Sequence, residues 1–298
     1  MKKTLISVAV AGAMAFSAVA SAKAIVFGSV EQSFRMTDNG TTSSWDGVND
    51  FNGNWIAFKG KEDLGNGVTA EAMIQFHTIP EGSNNGISVY DTRVGLKGGF
   101  GEVQMGRFRT PSMILGDKYV DIYEGGISGV DLQNNARTSN AIQYSTPDMS
   151  GIKGTVVVTM DGSSGETGAD QTEYVLEYGN GPINAAVVYK DDAANNKETT
   201  SYMASGKVGA ATIYGMMETH DNAGIETDAF SVAGKFTAGK NDIIAGLYDR
   251  DNNYDVKSVE VRHNFSKKTF GFATYQVKSP DSGAADTKAF TVGMRMKF

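Results

Sequence analysis

The stretch Phe290-Thr291-Val292-Gly293-Met294-Arg295-Met296-Lys297-Phe298 decides the fold. Phe290, Val292, Met294, Met296 and Phe298 share one parity, and Thr291, Gly293, Arg295 and Lys297 share the other. Successive side chains of a strand face opposite ways, so one face is wholly apolar and the other small or cationic. The same alternation recurs upstream. Val26, Val30 and Phe34 alternate with Ser29, Glu31, Ser33 and Arg35; Ala70, Ala72, Ile74 and Phe76 alternate with Glu71, Gln75 and His77. Val94 and Leu96 alternate with Arg93 and Lys97, Tyr174, Leu176 and Tyr178 with Glu173 and Glu177, and Val259, Val261 and Phe265 with Glu260, Arg262 and Asn264. Two segments, Thr155 to Thr159 and Ile243 to Leu247, are apolar on both parities. A soluble sheet shows such alternation too, so the number of strands and the spacing of their turns must discriminate.

Short turn signals, such as Leu64-Gly65-Asn66-Gly67, Gly98-Gly99-Phe100-Gly101 and Asn180-Gly181-Pro182, alternate with longer polar stretches near 37–50, 79–87, 110–136, 161–169, 191–198, 220–227, 251–254 and 279–287. Seven short turns and eight longer loops join sixteen strands, with both termini on the short-turn side. This is the plan of a bacterial transmembrane barrel, with short periplasmic turns, long outer loops and about 10 residues per strand. An unpaired backbone group in lipid costs several kcal/mol, so first and last strands must pair. At about sixteen strands, side chains no longer fill the lumen and an aqueous channel remains.

The N-terminus carries Lys2 and Lys3, an apolar run from Leu5 to about Ala20, and then Ala20-Ser21-Ala22. That order is a secretory leader, residues 1–22, cut after Ala22 or alternatively after Ala24. The barrel domain is then 23–298, with 25 basic against 34 acidic residues, a balance of −9. That balance disfavours nucleic acid as a partner. No cysteine is present, so a large closed sheet must do what disulfides do in small exported domains. No second apolar run approaches the roughly 20 residues of a spanning helix. Gly is abundant at 36 and Pro scarce at 5. A secreted β-sandwich shares this composition.

The run Phe58-Lys59-Gly60-Lys61-Glu62-Asp63-Leu64-Gly65-Asn66-Gly67 resembles the second strand and first periplasmic turn of the Gram-negative general porins. Arg93-Val94-Gly95-Leu96-Lys97 with Met105-Gly106-Arg107 resembles their fourth and fifth strands, and Arg137 to Pro147 their sixth. The chain ends on Phe298, as theirs do on an aromatic. The resemblance spans the mature chain. It implies an all-β, sixteen-stranded antiparallel transmembrane barrel, a homotrimer, a third loop folded into the lumen, and Phe298 as the signal to the barrel-assembly machinery. The implied surroundings are outer-membrane lipid and lipopolysaccharide. The implied cargo is small hydrophilic solutes diffusing passively.

The third loop, about Thr110 to Ala136, mixes Ile114, Leu115, Tyr119, Ile122 and Tyr123 with Asp117, Asp121, Glu124 and Asp131. A loop of that length is functional or disordered. By resemblance Asp117, Asp121 and Glu124 are the acidic side of the constriction. Arg93 and Arg137 match the family's basic wall, with Lys59, Arg107 and Arg35 as weaker matches. Arg107 shares parity with Val103 and Met105 and points outward unless Gly106 marks a bulge. Ser29 and Trp55 stand where enterobacterial porins commonly carry Lys and Arg. Fewer wall cations beside an acidic loop predict a mild cation preference. His77, His220 and His263 have no ligand-like spacing, and the run from Asp249 to Glu260 has Tyr254 where a calcium loop needs Gly. Neither metal, cofactor nor enzyme chemistry is indicated. A sugar-specific channel would show an aromatic track on lumen parity, and none is evident beyond Trp45 and Trp55.

Overall fold

The computed structural model describes residues 23–48, 53–78, 87–125, 137–160 and 168–298. The expected leader, Asp131 and parts of several long loops lie outside the described residues. Among the described residues seventeen strands follow one another: β1 (Lys23–Asp38), β2 (Ser43–Val48), β3 (Trp55–Gly65), β4 (Val68–Thr78), β5 (Ile87–Gly98), β6 (Gly101–Arg109), β7 (Arg137–Ser145), β8 (Ile152–Thr159) and β9 (Gln171–Asn180). Then come β10 (Ile183–Asp192), β11 (Lys197–Val208), β12 (Ala211–Asn222), β13 (Ile225–Ala238), β14 (Asn241–Arg250), β15 (Tyr254–Asn264), β16 (Thr269–Pro280) and β17 (Thr287–Lys297). Among the described residues one helix, α1 (Pro111–Tyr119), follows β6.

β2 and β3 are two halves of one stave. β2 pairs with Ser33–Asp38 of β1, and β3 pairs with Lys23–Ser29 of the same strand. Between them the ladder is interrupted, and the Asn54 side chain accepts the Glu31 N–H at 2.9 Å instead. The wall is therefore a closed barrel of sixteen antiparallel staves. Closure is made by β1 and β17, paired from Ser29↔Lys297 to Asp38↔Lys288. Phe298 continues that seam: it donates to the Gly28 carbonyl at 3.0 Å and its carbonyl accepts from Gly28 at 3.3 Å. Its ring lies where a Cβ on Gly28 would be, 2.6 Å from the ring edge.

The burial pattern is inverted relative to a soluble sheet. Phe34 is 62% exposed and Val30 51%, while their neighbour Glu31 is fully buried. Large apolar side chains form the outer belt, and polar ones face a crowded interior. Connections at the long-loop end are uneven. The stretch near 220–227, expected as a longer loop, is a two-residue turn at Ala223-Gly224, both with positive φ. Thr219 and Asp228 bond across it at 2.8 Å, so the polar residues lengthen two strands. At the opposite end Asn66-Gly67, φ 50° and 75°, gives the tight turn between β3 and β4. Both φ values have the sign that a two-residue hairpin turn requires.

Candidate functional site

The described part of the third loop, residues 110–125, runs along the inside of the wall. Thr110 caps α1, its hydroxyl accepting from the Met113 N–H at 3.3 Å, and Pro111 sits where a helix tolerates it. The helix lays Leu115, Tyr119 and Val120 against Val175, Val188, Met203, Met216, Tyr248 and Val256 of β9 to β15. Tyr119 and Val120 are fully buried there. The second apolar parity of Ile243 to Leu247 has the same cause: Ile244 is buried on the inner face, beside the loop. Val157 of the other irregular segment packs under Phe108 and Ala141.

Two wall carboxylates hold the ends of this inner segment. Glu173 of β9 accepts the Ser112 N–H at 2.7 Å and the Ser112 hydroxyl at 2.9 Å, at the start of α1. Negative charge at a helix N-terminus is favourable, because the first N–H groups have no partner within the helix. Glu260 of β15 accepts the Glu124 N–H at 2.8 Å and the Thr274 hydroxyl at 2.7 Å. Arg262 bridges Glu260 at 2.6 Å and Glu124 at 3.2 Å, and donates to the Ile122 carbonyl at 3.2 Å. Arg295 bonds Glu124 at 2.5 Å and pairs with the buried Glu31. Gly125 follows, so close to the wall that a Cβ would meet Phe272 at 2.8 Å. Burial pushes the Tyr123 phenol up, with the Glu260 and Asp121 carboxylates adding to the shift.

Between loop and wall lies a cleft of about 370 Å³. Asp117, Asp121 and Glu124 line it from the loop, and Lys235, Arg262, Arg295 and Lys297 from the wall. All three acidic residues read from the sequence therefore meet at one place. Asp117 also pairs with Arg109, and Glu124 is shared by two arginines.

The basic residues read from the sequence are dispersed over other staves. Lys59 pairs with Glu71 at 2.6 Å. Arg93 donates to Gln104 at 2.9 Å. Arg35 donates to Thr291 at 3.2 Å. Arg137 lies 3.5 Å over the Tyr90 ring and bonds Asp91 at 3.1 Å, with His77 stacked near the same ring. Arg107 stands at a bulge, where it opposes both Ser139 and Asn140; it donates to the Tyr90 carbonyl at 3.0 Å and Ser139 at 2.8 Å. Reading the sequence missed Arg262, Arg295, Glu173 and Glu260 as the groups that meet the third loop. Their signal was present as charge on lumen parity in the middle of apolar strands. Among the described residues, no group of three His, Asp or Glu is disposed to hold a metal ion.

The family described as Gram-negative porin matches residues 7–295. The "Major outer membrane protein P.IB" of Neisseria lactamica is 26% identical over 345 residues, covering 100% of both chains. A "Monosaccharide porin" of Halomonas sp is 29% identical over 287 residues, 91% of this chain and 64% of that one. Among solved structures, the "Anion-selective porin from Comamonas acidovorans" superposes with a TM-score of 0.76 at 19% identity, over 93% of this chain and all of the other. Closed barrel, inward loop, charged cleft and family match converge: the chain belongs to the Gram-negative porins, outer-membrane channel proteins rather than enzymes.

Proposed function

We propose that this porin is a general-diffusion channel for small hydrophilic solutes, assembled as a homotrimer in contact with outer-membrane lipid and lipopolysaccharide. The observation that carries this reading is the third loop docked on the inner wall beside an open, charged cleft. In this reading Asp117, Asp121 and Glu124 form the acidic side of the constriction. Arg93, Arg137, Lys59, Arg107 and Arg35 form a dispersed basic wall. Residues 1–22 are a cleaved leader, and Phe298 serves the barrel-assembly machinery. The acidic loop and the mature balance of −9 support a mild cation preference. Lys235, Arg262, Arg295 and Lys297 oppose it, which keeps the preference small.

Against a sugar-specific channel stands the placement of the inner aromatic rings. Tyr90 is buried and stacked on His77, Tyr119 is buried under the loop, and Tyr248 and Tyr254 are buried and stacked on one another, so these rings are not laid out as an exposed track. The test is current through the refolded protein in a planar bilayer under a KCl gradient. Conductance closing in three equal steps, with a small cation-signed reversal potential, is expected. An anion-signed potential would overturn the selectivity, and a single closing step would overturn the trimer. Swelling of loaded vesicles at rates that follow sugar size alone would match the non-specific reading; one sugar entering far faster than its isomers would refute it.

A further inference from the structure

The N-terminal part of β1 has a neighbour on one side only. Lys23 to Ser29 pair with β3, from Lys23↔Lys61 to Ser29↔Trp55. On the other side β17 reaches Ser29↔Lys297, and Phe298 adds one rung on Gly28, donating at 3.0 Å and accepting at 3.3 Å. Among the described residues no strand continues along that edge from Phe27 to Lys23. Backbone groups of an antiparallel strand point alternately to its two neighbours. Gly28 points to β17, so Val26 and Ala24 point the same way, while Phe27, Ile25 and Lys23 point to β3. The edge therefore offers two N–H and two C=O groups, in pairs about 7 Å apart along the strand. Val26 is 54% exposed on the outer parity and Ile25 38% on the inner one. Short turns mark the periplasmic end of a barrel, so the edge opens there.

The surroundings of this edge are basic. Lys23 stands directly opposite Lys61, a like-charge pair that is destabilising on its own. Glu71 answers Lys59 at 2.6 Å and Lys61 at 3.4 Å, and Asp63 is turned onto its own hairpin, accepting the Gly65 N–H at 2.9 Å. Lys297 and Lys268, joined by a backbone bond of 2.8 Å, border the gap from the β17 side, with Lys267 exposed beside them. Glu62 and the Phe298 carboxylate offset part of this charge. We propose that the edge from Lys23 to Phe27 is a docking site for an extended, acidic segment of a periplasmic protein, added as one more antiparallel strand in line with β17. An unpaired edge is a ready template, and strand addition takes its affinity from backbone bonds and its specificity from alternate side chains. Here Ala24 and Val26 supply the bonds. Carboxylates on the inner parity meet Lys23 and Lys297, and apolar side chains on the outer parity lie beside Val26. The site is independent of what passes through the lumen. It rests on a leader cut after Ala22, which leaves Lys23 as the first residue and adds its α-ammonium to the patch.

The experiment uses the protein purified from outer membranes in detergent, with its first residue read by intact mass. The probe is a fluorescent peptide of four Asp-Val repeats, blocked at both ends, and binding is read by anisotropy. Saturable binding is expected at 0.1 M salt, where screening extends about 10 Å, and about fivefold weaker binding at 1 M, where it extends about 3 Å. A Lys-Val peptide, and an Asp-Val peptide methylated on alternate backbone nitrogens, are expected not to bind. Val26→Pro deletes an N–H that points away from β3, so the rungs between β1 and β3 remain; it is expected to weaken binding about tenfold. Lys23→Glu is expected to weaken it about threefold through charge alone. Binding that survives both Val26→Pro and backbone methylation would overturn the added strand. Equal binding of the Lys-Val peptide would overturn the acidic partner. Barrels that pair with one another instead, seen as a larger species in light scattering that Val26→Pro abolishes, would give the edge to a second copy and overturn the partner. A first residue at Ile25 would remove Ala24, half of the pairing positions, and overturn the site.

Discussion

At the residue scale, the third loop is held by charge buried in pairs. Arg295 serves two carboxylates at once, Glu31 of β1 and Glu124 of the loop, and Glu31 has no solvent exposure. Removing one partner of such a set leaves uncompensated buried charge, which costs about 3–5 kcal/mol. Arg295→Ala is therefore expected to destabilise the barrel by about that much in urea unfolding from lipid vesicles. A loss below about 1 kcal/mol, the range of an exposed pair, would show that water already serves these groups. Glu260→Gln keeps the shape and one acceptor oxygen for the Glu124 N–H but removes the charge facing Arg262. It is expected to leave the fold intact and to make open-channel current noisier, as recorded at fixed voltage. Arg262 and Arg295 were readable as lumen-facing cations, since each alternates with apolar neighbours. Their pairing with Glu124 was not, because the contact between Glu124 and β17 depends on how far the loop travels across the lumen.

At the scale of elements, α1 is a short helix stabilised by where it lies. Nine residues are too few for stable helix in water, so the cap, the Glu173 carboxylate and the apolar wall must supply the rest. Tyr119→Ala removes a fully buried ring and is expected to cost the docked loop about 3–5 kcal/mol. Mean single-channel conductance should then rise, with flicker as the loop leaves the wall; a trace like that of the native channel would refute the docking argument. The staves were legible because their period of two survives everywhere the inner face is polar. The pattern blurred at Val157 and Ile244, where the inner face is covered and apolar residues serve both sides. Loop lengths near His220 were less legible, since polar residues at a strand end look the same whether they pair across a tight turn or form a loop. The helix was hidden for a related reason: Pro111 and Gly116 break its signal, and its buried face points to a wall distant in sequence.

At the scale of the whole molecule, almost all strand pairing is between neighbours in the chain, and the β1–β17 seam alone joins the two ends. This concentrates the entropy of folding in one event. A closing loop of nearly the full chain costs roughly 3 kcal/mol more than closing a hairpin of about ten residues, since the cost grows with the logarithm of loop length. Contacts that distant in sequence are also the slowest to find. The hairpins are expected to form early and the seam last, so refolding into vesicles should show a slow final phase. Val292→Gly lies on the seam, opposite Phe34, and should slow that phase; Val187→Gly, inside a hairpin, should leave its rate unchanged while lowering stability. Equal effects of the two would mean that closure is not the last step. Until the seam shuts, both edge strands present unpaired backbone to any neighbouring chain, so the time spent open sets the window in which two nascent barrels can cross-pair and aggregate.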